Sequence, residues 1–294
     1  MKTLLTVLLI VSFISVETFA QKIKEYETRE SLAMELYVKS GLQVQLLDSP
    51  QVIINSLDKQ KELVLSNNLD SEKRSSLNKY FNNLNQIAEI VYNAQNLKKT
   101  FLDYFENELT IPESKQILFW LDSPVGLKCT KVEEVYTDTK KMNEYNSFVM
   151  ELTKKPPPVK RTQIAEKFIK ANDMIDRSVD LLTNMQLAQT IALVYALTPE
   201  NEQALHLAKK RIEEAKPRIK MNLEQIMVSR ILFIYQDLTD SEFEQYLEFL
   251  ETPIGTKYTK ISSDAYDVAF TRASFEFGEK VGELLQSKKG KTEI

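Results

Sequence analysis

Glycine is nearly absent from this chain, with six in 294 residues. Glycine-loop nucleotide folds and turn-rich β architectures both need more of it, because only glycine enters the left-handed region freely. Histidine occurs once, as His206, and cysteine once, as Cys129. Zinc sites of the usual kind need several such ligands, and bundle di-iron sites need Glu-x-x-His from two helices. One cysteine also rules out an intramolecular disulfide. His206 lies in Leu205-His206-Leu207-Ala208 with no nucleophile signature beside it, and reads as a helix-surface or half-buried side chain. Walker and dinucleotide fingerprints are missing. Net charge is −4 with 27% charged residues, a balance unlike the clustered basic excess of a nucleic-acid binder. Adjacent carboxylates such as Glu133-Glu134 and Glu213-Glu214 point to different azimuths of a helix, so they do not read as acid/base pairs. Composition and motifs therefore imply no catalytic residues, no metal ligands, no cofactor and no nucleic-acid partner.

Long apolar runs are confined to the start. Lys2, an apolar stretch from Leu4 to Ile14, and Thr18-Phe19-Ala20 before Gln21 read as a cleavable secretory signal over residues 1–20. The expected mature protein is exported, periplasmic or secreted, with no stable membrane span after cleavage.

What the chain does contain is a statement made twice. Residues 109–131 read LTIPESKQILFWLDSPVGLKCTK, and residues 238–260 read LTDSEFEQYLEFLETPIGTKYTK. In register, at an offset of 129, 11 of 23 positions are identical, where average usage gives roughly one or two by chance. Thr239 with Glu242, and Thr110 with Glu113, are capping boxes, and Leu238 with Phe243 is a hydrophobic staple. Ser114 takes the place of Phe243 in the first segment, so the staple is expected only in the second. Phe243, Tyr246, Leu247 and Leu250 share one helical face. Ser123-Pro124 and Thr252-Pro253 each pair an N-cap with proline at N1, so one helix ends and another begins at once. Gly126 and Gly255 then fall in a first turn, where they are expected to permit close helix packing rather than to cradle an anion. Lys128, Lys131, Lys257 and Lys260 recur in both segments. They read as a solvated face, and are the best polar candidates for binding. Cys129 aligns with Tyr258, which reads as half-buried packing.

The pattern L-T-x-x-E-x-x-x-x-L-x-[FW]-L-[DE]-[ST]-P-[VI]-G-x-K resembles a bacterial exported family catalogued as a domain of unknown function (number twenty fifty-nine in that series). The resemblance implies a helical fold behind a signal peptide. It brings no substrate, cofactor or catalytic residue.

The rest of the chain reads as helices. One is expected from Glu27 to about Leu47 and one from Ser49-Pro50, which Asn67-Asn68 ends. A long helix is expected from Asp70 toward Asn107, and the second helix of the first corner should run on through Met142 to about Leu152. Lys154-Lys155-Pro156-Pro157-Pro158 marks a boundary. Beyond it the order repeats: a helix from about Thr162 that includes Ile175, and another through Ile191 and Val194. Leu197-Thr198-Pro199-Glu200 matches Leu69-Asp70-Ser71-Glu72 and opens a long helix, which Pro217 should kink or break. The last helix is expected from Thr252 to about Leu285. The fold class is all-α: two pseudo-repeated halves of about five helices each, joined by a Pro-rich linker. The expected boundaries are 1–20 for the signal, 21–153 for the first half, 154–160 for the linker, 161–286 for the second half and 287–294 for a basic tail.

Phe101, Tyr104, Phe105, Phe233 and Tyr235 read as core, although a groove between the halves lined by them would suit an apolar ligand. The leading expectation is a non-enzymatic module that meets a protein partner in the bacterial periplasm or envelope. The alternative is a carrier of an apolar or lipid-like molecule between helices, and an enzyme comes third. An exposed apolar patch would mark the first, a closed apolar cavity the second, and a cleft with converging carboxylates the third.

Overall fold

A computed structural model describes residues 28–66, 70–197 and 202–289. The expected signal, the Asn67-Asn68 stop, the match between Leu69 and Leu197-Thr198-Pro199-Glu200 and most of the basic tail lie partly or wholly outside them. Every regular element among the described residues is helical, with no strand. In chain order they are α1 (Arg29–Lys39), α2 (Leu42–Gln45), α3 (Ser49–Leu65), α4 (Ser71–Val91), α5 (Ala94–Glu108), α6 (Ile111–Leu121), α7 (Pro124–Tyr136), α8 (Met142–Lys154), α9 (Val159–Ala171), α10 (Met174–Leu197), α11 (Glu202–Ile234), α12 (Asp240–Glu251) and α13 (Pro253–Lys289). Short 3-10 turns at Leu46–Asp48 and Thr139–Lys141 join α2 to α3 and α7 to α8.

Several expected helices are divided. The first stops at Ser40 because Gly41 takes a left-handed φ of 75°, and the amides of Ser40 and Gly41 bond back to Leu36 and Val38, as in a helix C-cap. Ser49 is the first helical residue rather than a side-chain cap, since the 3-10 turn already supplies the preceding geometry. The long helix toward Asn107 divides at Tyr92-Asn93, where the Asn93 side chain accepts from the Gln95 and Asn96 amides. No glycine or proline announces that break. The helix after the first corner is interrupted at Thr137–Lys141, and the one from Thr162 ends at Ala171, with Asp173 at a φ of 49°. Conversely, α11 runs unbroken through Pro217. A continuous helix tolerates the loss of one backbone bond when its flanks are long enough to hold it.

Both repeated segments fold as a helix, a Ser/Thr-Pro corner and a second helix. The capping boxes are complete at Thr110/Glu113 and Thr239/Glu242. Ser123 and Thr252 accept from the Gly126 and Gly255 amides at 3.0 Å. Leu238 and Phe243 are buried in one core, the two ends of the expected staple. The corners also contact each other reciprocally. Lys128 reaches Glu242 at 2.7 Å and Lys257 reaches Glu113 at 2.7 Å. Trp120 stacks on Phe249, its own counterpart in the other segment, with centroids 4.1 Å apart and planes 10° apart. Residue i meeting j while j meets i is the contact rule of a two-fold interface, here within one chain.

The second helices cross over. Cys129 and Val132 of α7 lie in a core with α9, α11 and α12. Ile261, Ala265, Ala269, Ala273, Phe277 and Val281 of α13 lie in the core built by α1 and α3–α6. Neither core is confined to one side of the proline run, because each corner sends its second helix into the other core. Trp120, Ile254 and Tyr258 pack against both cores.

Gly126 and Gly255 are required by the corner itself. A Cβ at Gly126 would stand 2.1 Å from the Trp120 carbonyl oxygen, and one at Gly255 2.0 Å from that of Phe249. The expected close approach is therefore to the turn just left, not to a distant helix. Gly255→Ala should cost about 1–3 kcal/mol, read as a melting midpoint several degrees lower, with Gly126→Ala behaving alike.

The paired glutamates predict acid sensitivity. The Lys257 ammonium, then the Thr110 cap, hold Glu113 down from 4.5 to about 2. Lys128 and the Thr239 cap do the same for Glu242, down to about 2. A carboxylate with a depressed folded value stabilises above its unfolded value and loses that contribution as pH falls toward the folded one. The melting midpoint should therefore fall between pH 4.5 and about 2, and Glu113→Gln/Glu242→Gln should flatten that part of the profile.

Candidate functional site

Where the two crossing helices part, a pocket of about 310 Å³ remains open to solvent. That is the lower end of the roughly 300–1,000 Å³ of small-molecule sites. Its walls are helical stripes. From α10 come Met174, Arg177, Ser178 and Leu181, which share a face at i, i+3, i+4 and i+7. From α13 come Tyr258, Thr259, Ser262, Ser263 and Tyr266. Glu133 of α7 enters from the other corner, and Phe168, Tyr235 and Tyr246 form the ring wall behind it. Glu133 and Ser262 lie two residues past the repeated segments at the same offset of 129, so the pocket lies where the corners diverge.

Glu133 is the polar centre of the ring wall. Its Oε1 accepts from the Tyr235 hydroxyl at 2.6 Å and from the Tyr246 hydroxyl at 2.9 Å. Phe168 meets both tyrosine rings edge-on, with centroids 5.1 and 5.3 Å away. Removal from bulk water raises the Glu133 carboxyl against the opposing effect of the two hydroxyls, since a low-dielectric surround disfavours the charged form. Burial likewise drives the Tyr235 and Tyr246 hydroxyls well above their ordinary value, with the Glu133 charge next in effect, so both remain donors.

The opposite wall is under-bonded. Arg177 makes one hydrogen bond, from Nη1 to the Thr259 carbonyl at 3.5 Å, and no carboxylate among the described residues pairs with it within 4.0 Å. Its buried Nε has no partner, and neither does Ser262 Oγ. Ser262 lies close to the Tyr258 hydroxyl, but outside hydrogen-bonding geometry. Thr259 and Ser262 are three residues apart on one helix, so these unsatisfied groups share one patch. Buried donors without partners are uncommon and costly.

The expected polar candidates are used elsewhere. Lys128 and Lys257 tie the corners together, while Lys131 and Lys260 face Glu134 at 4.0 Å and Asp264 at 2.5 Å on the surface. None of the four lines the pocket. Cys129 is 1% exposed and its thiol is pushed far up by burial, so the half-buried packing expected of it becomes full burial. His206 is exposed on α11. Phe101, Phe105, Phe233 and Tyr235 are buried as expected, and Tyr235 alone of the named aromatics also faces the pocket. Among the described residues no three His, Cys, Asp or Glu side chains gather as a metal site, and no helix is long and apolar enough to cross a membrane.

Sequence reading passed over Glu133 and Arg177. In the sequence Glu133 reads as one of an adjacent pair with Glu134. The available signal was its spacing: it lies four residues after Cys129 and one after Val132, on the buried face of α7. Chemically, one carboxylate lines this pocket, whereas paired-carboxylate hydrolysis uses two. Rings, hydroxyls, one acid and one unpaired guanidinium suit recognition of a small organic molecule.

The raised Glu133 carboxyl carries its own prediction. A folded state that holds the proton more tightly loses stability as pH rises from the ordinary carboxyl value through the raised one. Glu133→Gln keeps an oxygen for both tyrosine hydroxyls but cannot ionise. Its denaturation midpoint should gain on the wild type as pH is raised above the ordinary carboxyl range.

No family model, curated protein or solved structure matches the chain.

Proposed function

We propose that this is an exported, non-enzymatic helical protein that holds one small amphipathic organic molecule in the pocket between its crossing corners. The carrying observation is the lining: a ring wall bonded to Glu133 faces a guanidinium and a hydroxyl that lack partners. This departs from a carrier with a closed apolar cavity, because the pocket is open and polar at one wall. Membership of the exported family rests on the Ser/Thr-Pro motif, and export to the periplasm rests on the composition of residues 1–20. The same reading takes the two corners as descendants of one duplicated unit, with the proline run as the joint between the copies. Their shared sequence and reciprocal contacts support it.

A second reading, a surface for a protein partner, draws on Phe119. It is 82% exposed on α6, next to the stacked Trp120. Phe119→Ser should abolish crosslinks to such a partner in the native compartment and leave the pocket intact.

Native mass spectrometry of protein purified from its own compartment should show a small molecule in one-to-one ratio. Ser263→Phe, which fills the pocket from α13, should remove that mass while the melting midpoint stays within a few degrees. Retention of the mass by the filled variant would move the site elsewhere.

A further inference from the structure

From the under-bonded wall we infer the charge class of the ligand: a monoanion, a carboxylate or its equivalent, on an apolar body, with its acid group on Arg177 and Ser262. This rests on the small-molecule reading above and adds the sign of the charge. Arg177 and Glu133 are the charged side chains of the lining. Glu133 already accepts two hydroxyls, which turns its oxygen toward the ring wall. Arg177 has no such engagement beyond one long bond to a backbone carbonyl.

What the Arg177 wall lacks is an acceptor. A guanidinium carries five donors in a fixed fork and no acceptor, and Ser262, one turn beyond the Thr259 carbonyl that Arg177 reaches, adds another donor. A carboxylate accepts from such a fork in two parallel bonds and leaves lone pairs for a hydroxyl. A protonated amine would meet the guanidinium as a like charge, and a neutral alcohol would satisfy a single donor. The remaining lining favours hydrocarbon or ring surface: Leu42, Leu181, Leu250, Tyr246 and Tyr266. The Tyr246 hydroxyl is committed to Glu133 and the Tyr266 hydroxyl to Gln45, so these rings offer carbon surface rather than polar ends. The raised Glu133 carboxyl reduces repulsion of an incoming anion, because burial favours its uncharged form.

Two sources fit this chemistry, an aliphatic chain acid and an aryl acid, and matched probes separate them. Isothermal titration of the purified full-length protein would use octanoate and 3-phenylpropanoate, each beside its alcohol and its amine. Each acid is expected to bind about tenfold more tightly than its alcohol, with the amine weakest, and the stronger acid identifies the source. Arg177→Gln should erase the acid-over-alcohol gap, weakening the acid far more than the alcohol. Arg177→Lys should keep part of the gap, and Ser262→Ala should narrow it. Should Arg177→Gln fail to fold by circular dichroism, the lysine and Ser262→Ala variants decide the matter through the same gap. Alcohols or amines that bind as well as the acids, or a gap untouched by these substitutions, overturn the anion assignment alone. Binding of none of the six probes overturns the small-molecule reading with it.

Discussion

The structure depends on one crossed contact between two helix corners. Each capping-box glutamate serves two masters. Its carboxylate closes the N-terminus of its own helix, through Thr110 or Thr239, and also receives the lysine of the other corner. A surface ion pair alone contributes about 0.2–1 kcal/mol, and a cap typically about 1 kcal/mol. Shared through one carboxylate, the two effects couple: the helix terminus is ordered only where the partner corner sits. The Trp120–Phe249 stack adds a flat apolar contact at the centre, worth about 0.5–1.5 kcal/mol beyond burial for an aromatic pair. Polar termini and ring stack together fix the register of the corners.

That register decides where α7 and α13 go. A glycine one turn into each helix lets it fold back against the carbonyl end of the helix just left, so both helices depart at one forced angle. Each then enters the core that the first helix of the other corner joins. At the far end of α13, Gly278 repeats the device against α10: a Cβ there would stand 2.3 Å from the Gln189 carbonyl oxygen. Ala192 continues the seam, its Cβ 2.8 Å from where a Cβ at Gly278 would stand. Small residues bring the backbones together along this seam, and the space left where α7 and α13 part is the pocket.

Local chemistry was readable in the sequence, and long-range exchange was not. The capping boxes, the staple and the Ser/Thr-Pro corners follow from short fixed spacings, and each formed where those spacings lie. Helix ends without glycine or proline were hidden. Asn93 supplies its own cap inside a stretch whose apolar spacing never falters, and periodicity cannot report a cap that leaves the stripe intact. Pro217 goes the other way, since its local preference yields to a 33-residue helix. The crossing of α7 and α13 has no signature in either segment, because an apolar face does not record which core it enters. For that reason the lysines looked like free surface, and Glu133 looked like one of two neighbouring charges.

The pocket is also where the corners stop being alike. Cys129 faces Tyr258 in the alignment, and two residues past its end, at the same offset, Glu133 faces Ser262. The contacts that hold the corners together keep matching residues: lysine with lysine, glutamate with glutamate, ring with ring. The divergent positions instead supply one wall with an acid and the other with a hydroxyl beside Arg177. A symmetric pocket with Glu133 on both sides would set two carboxylates in one low-dielectric space, each raising the cost of ionising the other. With serine on one side, that repulsion is absent and the guanidinium stays unmatched. Symmetry thus serves the scaffold and asymmetry serves the cavity, and the unmatched charge persists because the same serine that relieves one carboxylate leaves room for another.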